Sequence, residues 1–121
     1  MAAVEAGDRD AWLALFTEDA LVEDPIGPSP LNPEGGGRRG KAAIAAFWDD
    51  VIAMGAIRFD IRESYACGSE CANVGRITTT LPDGTRSIVE GVYTYRVDDA
   101  GSIVALRAFW EFDAMTFESP S

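Results

Sequence analysis

The second half of the chain alternates apolar and polar residues, which predicts β-strands that each have one wet face. Ile57, Phe59 and Ile61, for example, alternate with charged residues. The predicted strands cover about residues 57–62, 71–81, 86–97 and 102–113. Turn sequences at 81–85 (LPDGT) and 98–101 (DDAG) separate the last three strands, as expected for hairpins. The pattern therefore predicts a four-stranded antiparallel meander.

The first half of the chain has helical spacing instead. Asp8 is a favourable N-cap for a helix over about residues 8–17, and a short strand follows at 19–24. Residues 41–54 place their apolar side chains on one stripe of a second helix, which Gly55 ends. That stripe consists of Ile44, Phe47, Trp48 and Val51. Helices followed by strands indicate an α+β fold.

Between the first strand and the second helix lies a long loop. Residues 25–40 hold four of the six prolines and five of the twelve glycines of the chain. A loop of this length in a compact domain is usually functional or mobile.

The predicted sheet should enclose a pocket where it curls around a helix. Tyr93 and Tyr95 share one face of the strand at 86–97, and Leu106, Ala108 and Trp110 share one face of the last strand. Flat apolar walls of this kind suit a rigid polycyclic ligand, although the same side chains fit a plain core equally well.

The last strand is apolar on its other face as well. Ile103, Ala105 and Phe109 lie on that face and need cover. A partner sheet in a homodimer would provide it, and so would a helix of the same chain. The sequence does not favour either alternative.

Asp24 is the most informative titratable residue. It precedes Pro25, which pushes it into extended backbone at the end of the first strand. Val22, two positions earlier, points to the same side. An acid that shares a face with an apolar residue is either an ordinary surface carboxylate or a base in an apolar pocket, where desolvation raises its pKa.

Composition excludes several kinds of chemistry. The chain of 121 residues has a net charge of −10, which argues against nucleic acid and anionic membranes as partners. It has no histidine, so Ser-His-Asp and Cys-His catalysis are excluded and we expect no metal site.

Cys67 and Cys71 fit neither redox nor zinc spacing and are expected to be reduced thiols. Without an apolar run of about 18 residues or a signal segment, we expect a cytoplasmic protein.

Several segments together resemble a known family. Ala6 to Asp10 (AGDRD) and Leu13 to Phe16 (LALF) precede Val22 to Gly27 (VEDPIG). Gly40 to Ile44 (GKAAI), Phe47-Trp48 and a final Leu106-Arg107-Ala108 follow. In this order the chain resembles bacterial Δ5-3-ketosteroid isomerase, within the NTF2-like (SnoaL-like) superfamily. The resemblance covers nearly the whole chain from about residue 5.

The resemblance implies a conical α+β barrel, usually dimeric, with a deep apolar cavity and no cofactor. It implies that Asp24 takes a proton from the carbon beside a steroid carbonyl and returns it two carbons further along, as the family's aspartate does. Val22, Trp48, Tyr95, Leu106, Ala108 and Trp110 are then expected to contact the substrate. The expected partner is a small, apolar, polycyclic ligand.

The chain departs from the family pattern at the groups that polarise the carbonyl. The family's first-helix tyrosine would lie before Met1, so the first helix of the single domain expected over residues 1–121 looks shortened. The family's protonated aspartate falls at Tyr93, and the tyrosine that braces the missing one falls at Trp48. Tyr93 is therefore our candidate for the catalytic hydrogen-bond donor, and a core aromatic is the alternative.

The sequence is compatible with three functions. The first is a steroid Δ-isomerase with Asp24 as proton shuttle. The second is a non-catalytic module that binds a steroid or a similar hydrophobic molecule, which the lost donors would favour. The third is a SnoaL-like polyketide cyclase. An epoxide hydrolase would need Arg107 paired with Asp24, and the strand alternation turns Arg107 outward.

Overall fold

The computed structural model describes residues 1–120, within which seven strands form one curved, mixed sheet. The strands are β1 (Phe16–Glu23), β2 (Arg38–Arg39), β3 (Ala56–Cys67), β4 (Glu70–Thr80), β5 (Arg86–Val97), β6 (Ile103–Phe109) and β7 (Thr116–Glu118). Their order is β2-β1-β6-β5-β4-β3, and β7 pairs with β5. The β1–β6 pair is parallel and the other pairs are antiparallel. The predicted meander is confirmed as strands β3 to β6.

Helices cover one side of this sheet. They are α1 (Ala2–Glu5), α2 (Arg9–Leu13) and α3 (Lys41–Asp50), with single 3₁₀ turns at Ile52–Met54 and Phe112–Ala114. The predicted stripe of α3 is confirmed, since Ile44, Phe47 and Trp48 are buried. They pack with Trp12, Phe16, Ala20, Val22 and Leu106 in the main core cluster. The core therefore joins the helices to β1 and β6.

The helix predicted over 8–17 is shorter than expected. Asp8 caps it as predicted, accepting a hydrogen bond from the Ala11 N–H, but α2 ends at Leu13. The Leu15 carbonyl accepts from the Ile103 N–H at 2.7 Å, and Phe16 pairs with Ile103. Pairing with β6 thus draws this segment into the sheet, because its apolar residues suit either structure.

β6 begins with a β-bulge, so the start of this strand has its faces opposite to those predicted. Arg96 pairs with Ala105 but Val97 pairs with Ile103, so Val104 is an extra residue. The bulge reverses the alternation at this point. Ile103 packs against the core cluster, and the prediction that it faces outward is wrong.

The last strand also ends earlier than predicted. β6 stops at Phe109, and the chain turns away through residues 110–115 before returning as β7. β7 pairs with residues 86–88, the start of β5. This segment brings side chains from residues 110–117 to the wall of a cavity.

Gly75 and Gly91 pair with each other across β4 and β5. A Cβ atom on Gly75 would lie 2.2 Å from the Asp60 carbonyl oxygen, beside a bulge in β3. Backbones can approach this closely only where a side chain is absent. The absence of a side chain at Gly75 therefore lets β3 approach β4 closely beside the bulge, and residues of β3 to β5 line this cavity.

Candidate active site

Asp24 lies directly after the end of β1, as the sequence predicts. The Ile26 N–H donates to the Ala108 carbonyl at 3.0 Å, which fastens this segment to β6. The Asp24–Pro25 peptide is cis. Asp24 is half-buried, and its side chain lines a cavity together with Val22. Of the two readings left open by the sequence, the structure supports an acid in an apolar pocket.

The cavity has a volume of about 280 Å³ and is mostly apolar. Its inner end is lined by buried or largely buried side chains, including Trp12, Val22 and Leu106. Its other end is lined by exposed ones, since Met54 is 55 % and Phe117 is 65 % exposed. The cavity therefore runs from a closed inner end to an open end.

Asp24 makes one strong contact within this apolar environment. The Trp110 Nε1–H donates to Asp24 Oδ1 at 2.5 Å. Desolvation by burial raises the pKa of the Asp24 carboxyl, and the hydrogen bond from Trp110 opposes that rise in pKa. Among residues 1–120 the other carboxylate oxygen, Oδ2, accepts no hydrogen bond from a side chain or loop backbone. Asp24 is therefore an oriented carboxylate with a raised pKa, which is suited to accepting and returning a proton.

The position of Trp110 depends on a glycine in the neighbouring strand. A Cβ atom on Gly91 would lie 2.3 Å from the Phe109 carbonyl oxygen and 2.9 Å from the Trp110 Cβ. Any side chain on Gly91 would therefore displace Trp110. The absence of one lets the indole reach Asp24.

Tyr93 and Tyr95 both line the cavity from β5, but their hydroxyls differ in hydrogen bonding. Tyr93 lies opposite Ala108 in the strand register, close to the level of Asp24. Its hydroxyl donates to the Gly75 carbonyl at 3.3 Å. Tyr95 lies two residues further into the cavity, opposite Leu106, and packs against the core cluster.

The Tyr95 hydroxyl has no hydrogen-bond partner within residues 1–120. No buried side-chain oxygen or nitrogen atom of these residues lacks a partner, so this hydroxyl is not fully buried, and Tyr95 lines the cavity. Desolvation and then the Asp24 charge raise the pKa of Tyr95 to about 12. The same two causes raise the pKa of Tyr93. Both phenols therefore keep their protons at neutral pH and can act as donors.

The arrangement can be compared with known proteins. A family model for the SnoaL-like domain matches residues 1–106. The chain belongs to this SnoaL-like family. The resemblance that the sequence suggested is thereby confirmed, and so is the NTF2-like cone with its curved, unclosed, antiparallel-rich sheet.

Relatives of this SnoaL-like chain include ketosteroid isomerases. A steroid Delta-isomerase from Nocardioides simplex is 32 % identical over 108 residues, which cover 89 % of this chain and 80 % of the relative. The structure of a Delta 5-3-ketosteroid isomerase from Mycobacterium sp. is 47 % identical, with a TM-score of 0.91 and coverage of 97 % of this chain and 91 % of the other.

A third relative has been solved with a steroid bound. RV0760c from Mycobacterium tuberculosis, in complex with estradiol-17beta-hemisuccinate, is 40 % identical to this SnoaL-like chain. The TM-score is 0.89, and the match covers 95 % of this chain and 90 % of the other.

The cavity of this SnoaL-like domain brings together most of the residues that the sequence proposes for the site. Those that line it are Val22, Asp24, Tyr93, Tyr95, Leu106, Ala108 and Trp110. Trp48 is the exception. It packs in the core against Trp12, with ring centroids 5.3 Å apart, because its helical stripe faces β1 and α2. Placing Trp48 in the cavity wall was wrong.

The sequence interpretation missed two features of the site. It treated Trp110 only as an apolar wall, whereas the indole also binds Asp24; a partly buried tryptophan N–H usually has an acceptor, which was the available signal. It also missed the residues of the open end, among them Thr79, Ser87, Met115 and Phe117. The detour after β6 brings the last two to the cavity, and no local pattern indicates it.

Arg107 faces away from the cavity, as the alternation predicts. Its guanidinium pairs with Glu23 at 3.0 Å and lies near the Phe109 ring. It therefore forms no pair with Asp24. This geometry does not provide the arginine–aspartate pair that an epoxide hydrolase would need.

Proposed function

We propose that the protein is a steroid Δ-isomerase, which moves a double bond in a 3-oxo steroid or a similar apolar cyclic ketone. The observation that carries this proposal is Asp24, a carboxylate with a raised pKa that one N–H orients at the wall of an apolar cavity. The steroid isomerases among the relatives support it.

In the proposed reaction Asp24 acts first as a base and then as an acid. Oδ2, the oxygen that Trp110 does not bind, takes a proton from the carbon between the carbonyl and the double bond. The C–H electron pair forms a dienolate, whose negative charge moves onto the carbonyl oxygen. The protonated carboxyl then returns the proton two carbons further along. The double bond is now conjugated with the reformed carbonyl, and the net change is one proton shift.

The developing oxyanion needs a hydrogen-bond donor, and β5 offers two hydroxyls. Tyr95 is the donor we favour, because it lines the cavity and its hydroxyl has no partner within residues 1–120 and is not fully buried. Tyr93, the donor that the sequence suggests, can contribute only by giving up its bond to the Gly75 carbonyl. Val22, Leu106, Ala108 and Trp110 are the proposed contacts to the apolar rings.

Turnover of 5-androstene-3,17-dione, followed by the ultraviolet absorbance of the conjugated product, tests this proposal. We expect Asp24→Asn to lower kcat by about 10²- to 10⁴-fold, the usual contribution of a general base. Asp19→Asn, on the exposed side of β1, is the matched control and should retain the wild-type rate. Equal rates for wild type and Asp24→Asn would refute the proposal.

A steroid-binding module without turnover is the second candidate. It is favoured by the absence of the family's usual oxyanion aspartate, whose position is occupied by Tyr93. RV0760c, solved with an estradiol derivative, gives it further support. Micromolar or tighter binding of 4-androstene-3,17-dione by calorimetry, combined with undetectable isomerisation by wild type, would select this function.

We also propose that the protein is a homodimer. Phe109 supports this proposal, since it lies on the outer face of the sheet and is 48 % exposed. Sedimentation equilibrium should give twice the chain mass, and Phe109→Lys should shift the equilibrium toward the monomer. A monomeric mass for wild type at all concentrations would contradict this.

A cytoplasmic location and a role in lipid metabolism complete the proposal. Cys67 and Cys71 are both free, and they occupy successive pairs of the β3–β4 ladder, so they point to opposite faces. Free thiols suit a reducing compartment. Separately, no helix within residues 1–120 has the length and hydrophobicity needed to span a membrane.

A further inference from the structure

We infer that Thr79 and Ser87 form a second polar contact, at the open end of the cavity, for a hydrogen-bonding group at the far end of the ligand. This inference rests on the proposed function and deepens it by naming the kind of steroid that fits. Nothing in the isomerisation itself requires this second contact.

The polar side chains of the cavity fall into two separate groups. Asp24, Tyr93 and Tyr95 form the inner group. Thr79 and Ser87 form the outer group and are direct partners across β4 and β5. Cβ atoms of directly paired residues lie about 4.5–5.5 Å apart, so both hydroxyls can reach the same ligand atom.

Both outer hydroxyls are available to a ligand. Neither has a side-chain hydrogen bond within residues 1–120, and no buried side-chain oxygen or nitrogen there lacks a partner, so neither hydroxyl is fully buried, and both residues line the cavity. Thr94 shows the contrasting case on the outer face of the same sheet, where its hydroxyl donates to the Arg107 carbonyl at 3.1 Å.

The surroundings of the pair are apolar. Leu81, Met115 and Phe117 line the same end of the cavity, and Phe117 pairs with Ser87 from β7. A polar ligand atom that enters this end therefore finds its hydrogen bonds at Thr79 and Ser87. Each hydroxyl can donate or accept, so a ketone or a hydroxyl oxygen suits the pair.

The separation of the two polar groups determines how closely a ligand of given length can approach both. Ser87 is six residues from Tyr93 and eight residues from Tyr95 in β5, which corresponds to at most about 20 Å and about 27 Å along the strand. About ten bonds separate the oxygens at the two ends of a 3,17-dioxo steroid, which at about 1.2 Å of advance per bond gives ~12 Å. Both limits exceed this length, so an oxygen carried beyond carbon 17 on a short, neutral side chain approaches the outer pair more closely than a 17-ketone does.

Equilibrium binding of two steroids to the wild-type protein and its variants tests this inference. Progesterone has an acetyl group at carbon 17, and 4-androsten-3-one has no oxygen there. Quenching of tryptophan fluorescence reports binding, because Trp12 and Trp110 line the cavity. The variants are Thr79→Val, Ser87→Ala and the double variant. Thr78→Val, one residue away on the other face of β4, is the matched control.

We expect each single substitution to weaken progesterone binding by about 2- to 10-fold, the effect of one neutral hydrogen bond. The double variant should lose at least as much affinity for progesterone. The Kd of 4-androsten-3-one should change by less than about twofold in all three variants. Thr78→Val should bind both steroids as wild type does. Equal changes in Kd for the two steroids, or no change for either, would overturn the inference.

This assay is independent of catalysis. Equal changes in the Kd of the two steroids for the Thr79 and Ser87 variants, with lower turnover of 5-androstene-3,17-dione by Asp24→Asn than by wild type, would refute the outer contact alone. A selective loss of progesterone binding in these variants, together with equal turnover by wild type and Asp24→Asn, would refute the isomerase alone. Failure of wild type to bind either steroid would overturn both.

Discussion

The two ends of the cavity carry similar hydroxyl groups in different environments. At the inner end, Tyr93 and Tyr95 are desolvated beside Asp24, and their pKa values are raised. At the open end, Thr79 and Ser87 share the cavity with side chains that are more than half exposed. A hydrogen bond is electrostatically stronger where water is excluded, and weaker where water competes. The inner end should therefore control the rate, and the open end the choice of ligand.

The largest effect should come from the inner hydroxyls. We expect Tyr95→Phe to lower kcat by about 10²- to 10³-fold with little change in KM, because one oxyanion donor is lost. Tyr93→Phe should lower kcat less, since the Tyr93 hydroxyl already donates to the Gly75 carbonyl. Steady-state kinetics with 5-androstene-3,17-dione measures both. Tyr65→Phe, on the exposed part of β3, is the control. A larger loss for Tyr93→Phe would reverse the assignment of the donor.

Trp110→Phe should have the next largest effect. It removes the hydrogen bond that lowers the pKa of Asp24 and leaves the desolvation that raises this pKa. The acid limb of the pH–rate profile should therefore move to higher pH, since Asp24 must be deprotonated to act as the base. The plateau of kcat should fall about tenfold, because the carboxylate is less well oriented. An unchanged profile would show that the indole does not act on Asp24.

Asp24→Asn should stabilise the fold although it lowers kcat. The raised pKa means that the folded wild type binds this proton more tightly than the unfolded chain does. The free energy of unfolding of wild type therefore decreases as the pH rises from about 4 through the raised pKa. The asparagine variant is free of this loss and should be more stable at pH 7, by about 1.4 kcal/mol for each unit of the pKa shift.

Urea unfolding at several pH values measures this difference. The gap between the two proteins should close below about pH 4, where both states of the wild type are protonated. Asp19→Asn, at an exposed position of β1, controls for the loss of one negative charge. Equal stability of Asp24→Asn and wild type at pH 7 would mean that the carboxylate is solvated in the folded protein.

The smallest effect should come from the open end. Met54→Ala removes an exposed wall residue, so we expect kcat to stay within about twofold of wild type and KM to rise modestly. The same kinetic assay measures both parameters. A tenfold loss of kcat would show that closure of the open end takes part in the chemical step, and the contrast between the two ends would fail.

Local patterns predicted much of this arrangement. The two-residue period of β5 placed Tyr93 and Tyr95 on the inner face, and the following turn fixed the register of the hairpin. Pro25 predicted the extended backbone at Asp24, and Val22 indicated the side to which Asp24 points. These signals are local, because strand periodicity and proline stereochemistry act within a few residues.

The errors share one cause. The segment around Phe16 pairs with β6, the bulge at Val104 turns Ile103 inward, and the stripe of α3 takes Trp48 into the core. In each case the local sequence allows two structures, and a partner distant in the chain selects between them. Propensity alone cannot decide such cases.

The sequence by itself determined the α+β class, the position of Asp24 and the inward faces of the central strands, since these depend on periodicity and on residues adjacent in the chain. Only the tertiary structure decided which groups meet Asp24. Trp110 is 86 residues away, and its indole reaches the carboxylate only because Gly91 leaves room for it. Desolvation likewise requires the whole cavity wall, so the raised pKa of Asp24 is a property of the assembled fold.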